Sequence, residues 1–255
     1  MHIDLNADIG EGFADEAIVP WLSSANISCG AHAGSEADIR KAMRLCKQFN
    51  VAIGAHPSYP DRAHFGRQVL ALPFTALRAS LIQQLDFFFR LAADEGVAVT
   101  HLKAHGALYN EAAQNHEIGQ LLIDLCVQYQ ITLMTLAQSP LLLQANKQQV
   151  PTVAEAFADR SYQANGQLVA RSLPGALLAA PQAIAQSLQL IMQQQITTLG
   201  GELLNLQAES LCLHGDSPQA ILLARELHQA LLQHHIAIKA KAIDHSFFPV
   251  NRAEA

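Results

Sequence analysis

Ile3-Asp4-Leu5-Asn6-Ala7-Asp8 reads as a short β-strand that ends in an amide and a carboxylate, Asn6 and Asp8. The same design recurs along the chain. NISCGAH (26–32) ends in His32, VAIGAH (51–56) in His56, VTHLKAH (99–105) in Lys103 and His105, and SLCLHGD (210–216) in His214 and Asp216. If the strands are parallel, their C-terminal ends share one rim, so residues distant in sequence converge on one pocket. One histidine at a strand end is accounted for as a hydrogen-bonded structural residue. Four such ends point to an active site.

Working outward, strand-like and helix-like segments alternate from end to end, the pattern of a parallel sheet with crossover helices. Seven strands are expected, at 2–6, 24–29, 51–55, 98–103, 131–135, 152–156 and 210–214. Helices are expected at about 35–50, 73–95, 116–130, 139–146, 181–194 and 218–234. The clearest is 35–50, with Ser35 as N-cap and Ile39, Met43 and Cys46 on one face. Two loops after strands are longer than a compact barrel needs, 56–72 and 158–176, and such loops usually carry function. ITTLGGELLNLQ (196–207) reads as a hairpin turning at Gly200 and Gly201. No linker or composition break divides the chain, so 1–255 is read as a single α/β domain, a size that α/β barrels commonly have.

A net charge of -6 without long runs of one sign excludes a phosphate-tracking stripe, so nucleic acid is not an expected partner. The apolar runs fall far short of the roughly 20 residues that span a bilayer, and the N-terminus lacks signal-peptide features. Cys29, Cys46, Cys126 and Cys212 form no CxxC pair and read as reduced core thiols of a cytoplasmic protein. Cys29, three residues before His32, is a bystander thiol, a ligand or a nucleophile.

Asp8 with His32, His56 or His105 suits a divalent cation, since imidazole and carboxylate together serve zinc, iron, manganese or nickel. The alternative is a metal-free acid/base cluster. Lys103 and His105 alternate across Ala104, so on a strand they share a face; a lysine there suits an anion or developing negative charge. Tyr109 lies one turn further on if a helix starts there, either at the site or in helix packing. Arg67, Arg160 and Arg171 occupy the two long loops, where guanidinium forks suit a carboxylate or phosphate, although Asp159 beside Arg160 equally makes a local ion pair. GxSxG, GxxxxGK[ST] and GxGxxG are absent.

The stretches DLNADIGEGF, SANISCGAHAGS, VAIGAHPSYPDRAHFGR, HLKAHGALYN, EAFADRSYQANGQLVARSLPGA and LCLHGDSP, spanning residues 4 to about 218, closely resemble the LamB/YcsF family, the A-subunit family of prokaryotic ATP-dependent 5-oxoprolinase. Several small positions depart from the family pattern. Ala7 stands where cysteine is common, Ala31 where an aromatic is common, Ser35 for aspartate, Ser58 for glycine and Ala104 for proline. A catalytic cysteine at position 7 is thereby ruled out.

The resemblance implies a distorted (β/α) barrel like those of glycoside hydrolases and carbohydrate deacetylases. It also implies cleavage of 5-oxo-L-proline to L-glutamate with hydrolysis of ATP, and partners in the B and C subunits. In that frame Asp8, Lys103, His105, His214 and Asp216 are the expected catalytic residues, with His105 transferring a proton and Lys103 steadying negative charge. Asn6, Glu11, Asn26, Arg67, Tyr109, Asp159 and Arg160 are expected to bind substrate or phosphate. The NAD motif also looks like that of metal-dependent deacetylases, which raises Asp8, His32 and His56 as ligands of a divalent ion. Two other functions compete: a stand-alone metal-dependent deacetylase or amidase, and a component that binds a small acid for catalytic partners.

Overall fold

The structure, a computed structural model, describes residues 1–213 and 218–241. Seven parallel strands close a barrel in the order β1 (His2–Ile9), β2 (Ser24–Ser28), β3 (Ala52–His56), β4 (Val99–Leu102), β5 (Thr132–Leu136), β6 (Thr152–Phe157) and β9 (Ser210–Leu213). The last strand pairs with both β6 and β1 and so removes the sheet's edges. Before it comes the expected hairpin, β7 (Gln195–Thr197) with β8 (Leu203–Asn205); a two-residue β10 (Ala237–Ile238), not foreseen, adds beside β1. The distortion sits at β3 and β4, where the register shifts between Ile53 and Gly54.

Helices fill the crossovers: α1 (Asp15–Ile18), α2 (Glu36–Phe49), α3 (Phe74–Glu95), α4 (Gly106–Ala112), α5 (His116–Tyr129), α6 (Pro140–Lys147), α7 (Ala180–Gln193) and α8 (Pro218–Gln233). Ser35 does cap α2. Its hydroxyl accepts from the Asp38 N–H while the Asp38 carboxylate accepts from the Ser35 N–H, satisfying two end groups at once. Ile39, Ala42, Met43 and Cys46 form the buried stripe. Among the described residues no helix is long and apolar enough to cross a membrane.

The barrel interior is polar. Asp4, Asn6 and Asp8 hydrogen-bond across it, so strand alternation turns Ile3, Leu5, Ala7 and Ile9 outward into the apolar layer shared with the helices. Asp4 accepts from Ser23, Ser24 and Ser210; burial, opposed by these hydroxyls, raises its pKa. Above it the Asn6 amide donates to Glu155 (3.0 Å) and Ser210 (2.7 Å) and accepts from Asn26 (2.8 Å). His101 Nε2 then donates to Asn26 Oδ1 (2.8 Å). Buried polar groups persist only where they are paired in this way.

Candidate active site

Strand ends deliver the site as expected, but through different local devices. β1 runs three residues beyond the expected end, which places Asp8 on the strand itself, in register with Asn26. His56 is the last residue of β3. β4 stops at Leu102, so Lys103 and His105 do not share a strand face; the chain turns, and His105 becomes the N-cap of α4. Gly106 makes that turn possible. Its φ is +56°, and an added Cβ would lie 2.5 Å from the Gly66 carbonyl oxygen. The close approach lets the first long loop wrap the site, with Ala107 N–H donating to Gly66 O and His105 N–H to Pro57 O.

Lys103 is 2% exposed, and its ammonium lies 2.7 Å from Glu155 Oε1, 3.1 Å from Asp8 Oδ1 and 3.1 Å from Cys212 Sγ. Burial by itself would lower its pKa, but Asp8, Cys212 and Glu155 carry it well above the ordinary lysine value. Asp8 responds in kind: burial opposes its charge, and His56 and Lys103 hold it well below the usual carboxylate range. Tyr109, one turn into α4, donates to Glu155 Oε2 at 2.7 Å.

Three imidazoles gather above this ion cluster. His32 and His105 stack with ring centroids 3.9 Å apart, and His56 meets His105 edge-on at 4.9 Å. Asp8 Oδ2 lies 3.3 Å from His56 Nε2, and Glu11 Oε1 lies 3.0 Å from His32 Nε2 and 3.6 Å from His105 Nδ1. Burial, reinforced by positive neighbours, lowers the pKa of His32 to about 3 and of His105 to about 2. His105 Nε2 lies 2.9 Å from Phe65 O, and its Nδ1 lies 3.0 Å from His56 Nε2.

Donor type and convergence fit a divalent cation in two overlapping sets: Asp8, His56 and His105, and Glu11, His32 and His105. Of the expected trio, Asp8 and His56 fall in the first set with His105, and His32 falls in the second with Glu11.

A cavity of about 540 Å³ opens on the cluster, lined by Asp8, Glu11, His56, Lys103, His105 and Tyr109 together with Arg67, Arg160 and Arg171 from the two long loops. Arg160 is 7% exposed; one Nη donates to Val169 O at 2.6 Å, while its Nε has no hydrogen-bond partner among the described residues. Burial and the nearby charge of Arg171 lower its pKa. A buried guanidinium with an unmet donor fits an anionic ligand.

Other expected site residues fall elsewhere. Asn6 and Asn26 are fully buried beneath the cavity and do not line it, because their amides are consumed in the barrel network. Asp159 is half-buried and also does not line the cavity; its carbonyl accepts from Leu178 N–H. His214 and Asp216 lie outside the described residues. All four cysteines are buried free thiols, and burial raises the Cys29 pKa, so Cys29 is not an activated nucleophile. Glu155, His101, Cys212 and Ser58 were not foreseen as part of the site. Glu155 had a legible signal, a carboxylate within the buried strand TVAEAF.

A seven-stranded parallel barrel with an imidazole–carboxylate cluster and three arginines at its C-terminal rim has the form of a (β/α)-barrel hydrolase. The chain belongs to the LamB/YcsF family, whose model matches residues 3–245. It is 42% identical over 242 residues to the 5-oxoprolinase A subunit from Haemophilus influenzae (strain PittGG), covering 93% of this chain and 99% of that one. The crystal structure of a lactam utilization protein from Thermus thermophilus superposes with a TM-score of 0.88 at 34% identity, covering 94% of this chain and all of that one. A family 4 carbohydrate esterase from Streptomyces lividans shares the fold alone, with a TM-score of 0.53 at 10% identity over 96% of this chain and 94% of that one.

Proposed function

We propose that this chain is the A component of an ATP-dependent 5-oxoprolinase, opening 5-oxo-L-proline to L-glutamate with hydrolysis of ATP to ADP and phosphate, in a complex with B and C subunits. The observation that carries the reading is the composition of one cavity, which joins a carboxylate and imidazole cluster to three guanidinium groups. 5-Oxoproline needs both. Its carboxylate suits a guanidinium fork, and its lactam carbonyl must be brought to a group that activates water. The names carried by 42%-identical relatives support the substrate, and the word subunit in those names supports the partners.

A five-membered lactam is a poor electrophile. Transfer of the ATP γ-phosphoryl group to the amide oxygen releases ADP and activates the ring carbon; one water adds there, the C–N bond breaks as the nitrogen takes a proton, and a second water hydrolyses the resulting acyl phosphate to the carboxylate and phosphate. Lys103 keeps Asp8 ionised at the cavity floor, where it can hold or accept a proton of the attacking water. The chain has no GxxxxGK[ST] sequence, so ATP handling is assigned to the assembled complex rather than to this chain by itself.

The test is ATP-dependent glutamate formation from 5-oxoproline by the chain co-purified with its partners. Activity is expected in the complex and not in the isolated chain. Arg160→Lys should raise KM roughly 10- to 100-fold, the loss of one charge-assisted hydrogen bond. His105→Ala should lower turnover by about 100-fold or more, whereas His228→Ala, on α8 against Trp21, should change little. An assembled complex that leaves 5-oxoproline intact overturns the reading.

A further inference from the structure

The hydrogen bonds of His56 and His105 to carbonyl oxygens fix their outer protons, and that placement sets a requirement on the nitrogens that face inward. His56 Nδ1 lies 2.7 Å from Lys103 O, and His105 Nε2 lies 2.9 Å from Phe65 O. A carbonyl oxygen only accepts, so both of these ring nitrogens carry hydrogen. In each of these two rings, when neutral, the remaining nitrogen is a lone pair that faces inward. His32 is held separately, with Nδ1 2.9 Å from Ser58 Oγ and Nε2 3.0 Å from Glu11 Oε1.

His56 Nε2 and His105 Nδ1 confront each other at 3.0 Å, with Asp8 Oδ2 3.3 Å from the former. Glu11 Oε1 stands 3.0 Å from His32 Nε2 and 3.6 Å from His105 Nδ1. Two inward imidazole lone pairs beside a carboxylate call for an electrophile between them, and the donor set is one that divalent cations take.

We infer that the rim holds a divalent transition-metal cation, bound by His56 Nε2, His105 Nδ1 and the Asp8 carboxylate, with Glu11 and His32 closing its other side. Two nitrogens bound to zinc at about 2.0–2.1 Å, with ligand angles near 90–110°, lie about 3 Å apart, which matches the observed 3.0 Å. The outer N–H bonds to Lys103 O and Phe65 O are the orienting contacts that metal-bound imidazoles make. Nitrogen and carboxylate donors select zinc, manganese, iron, cobalt or nickel over magnesium or calcium. The inference is independent of the substrate, because binding is read without turnover.

Metal content of the full chain, purified without chelator, is measured first. Chelator-stripped protein is then titrated with Zn²⁺, Co²⁺ and Mn²⁺ by calorimetry and thermal denaturation. One of these ions should bind at one equivalent and, at a hundredfold excess over its Kd, raise the melting midpoint by about 5–10 °C. His56→Gln and His105→Gln should each weaken binding at least ~100-fold, since even orienting contacts are worth 10- to 100-fold. His64→Ala, a half-exposed histidine of the same loop paired with Asp61, should bind as the parent does. If the glutamine variants fail to fold, X-ray absorption of the Zn²⁺-loaded parent decides, with imidazole scattering from at least two rings expected. No binding by the stripped parent, binding untouched in His56→Gln, or a metal shell without imidazole overturns the inference.

Discussion

At the scale of single residues, Lys103 holds the site's charge together. Its buried ammonium serves Glu155, Asp8 and the Asn6 carbonyl oxygen. Removing one partner from a buried ion cluster leaves the remaining charges unpaired, which costs more than the pair contributes net. Lys103→Met should therefore destabilise the fold by about 3–5 kcal/mol, measured by urea unfolding. A loss below 1 kcal/mol would mean that water reaches Glu155. Lys103 was legible as a site residue because a lysine so rarely ends an apolar strand. Its partner Glu155 is marked differently, as a carboxylate inside the buried strand TVAEAF, because β6 contributes it from mid-strand rather than from the rim.

Elements contribute through close contacts that their sequences barely hint at. Gly54 on β3 stands opposite His101 on β4, and a Cβ built on it would lie 2.2 Å from the imidazole Nε2. Gly54→Ala should thus push His101 off Asn26 and cost about 1–3 kcal/mol as overpacking, read as a lower melting midpoint. An unchanged midpoint would show that the register shift at Ile53 and Gly54 absorbs the methyl. By contrast the start of α2 was fully readable. Ser35→Ala removes a cap whose geometry was evident from the serine and the apolar spacing behind it, and a loss of about 1 kcal/mol is expected in the same assay.

For the molecule as a whole, the polar interior of the barrel sets how stability responds to acid. His101 is buried among Asn26, Thr100 and the Lys103 charge, and burial followed by that charge lowers its pKa to about 3. The unfolded chain protonates this histidine near pH 6.5, so between about 6.5 and 3 the unfolded state binds the extra proton and stability falls as pH falls. His101→Gln, which can still donate to Asn26, should flatten that dependence by up to one proton, about 1.4 kcal/mol per pH unit. Parallel profiles for parent and variant would show that His101 titrates alike in both states. By itself the sequence determined the β-then-α alternation, the seven strands and the gathering of Asp8, His32, His56, Lys103 and His105 at one rim. All of these follow from local periodicity and from the rule that parallel strands end together. Only the tertiary structure decided which face of each strand looks inward, because both faces of a barrel strand are buried and a period of two cannot tell them apart. It also decided that Asn6 and Asn26 serve the barrel network, that β4 ends early so His105 sits at the N-terminal boundary of α4, and that Glu155 meets Lys103. These depend on closure of β9 against β1 and β6, and such long-range pairing leaves no local mark in the chain.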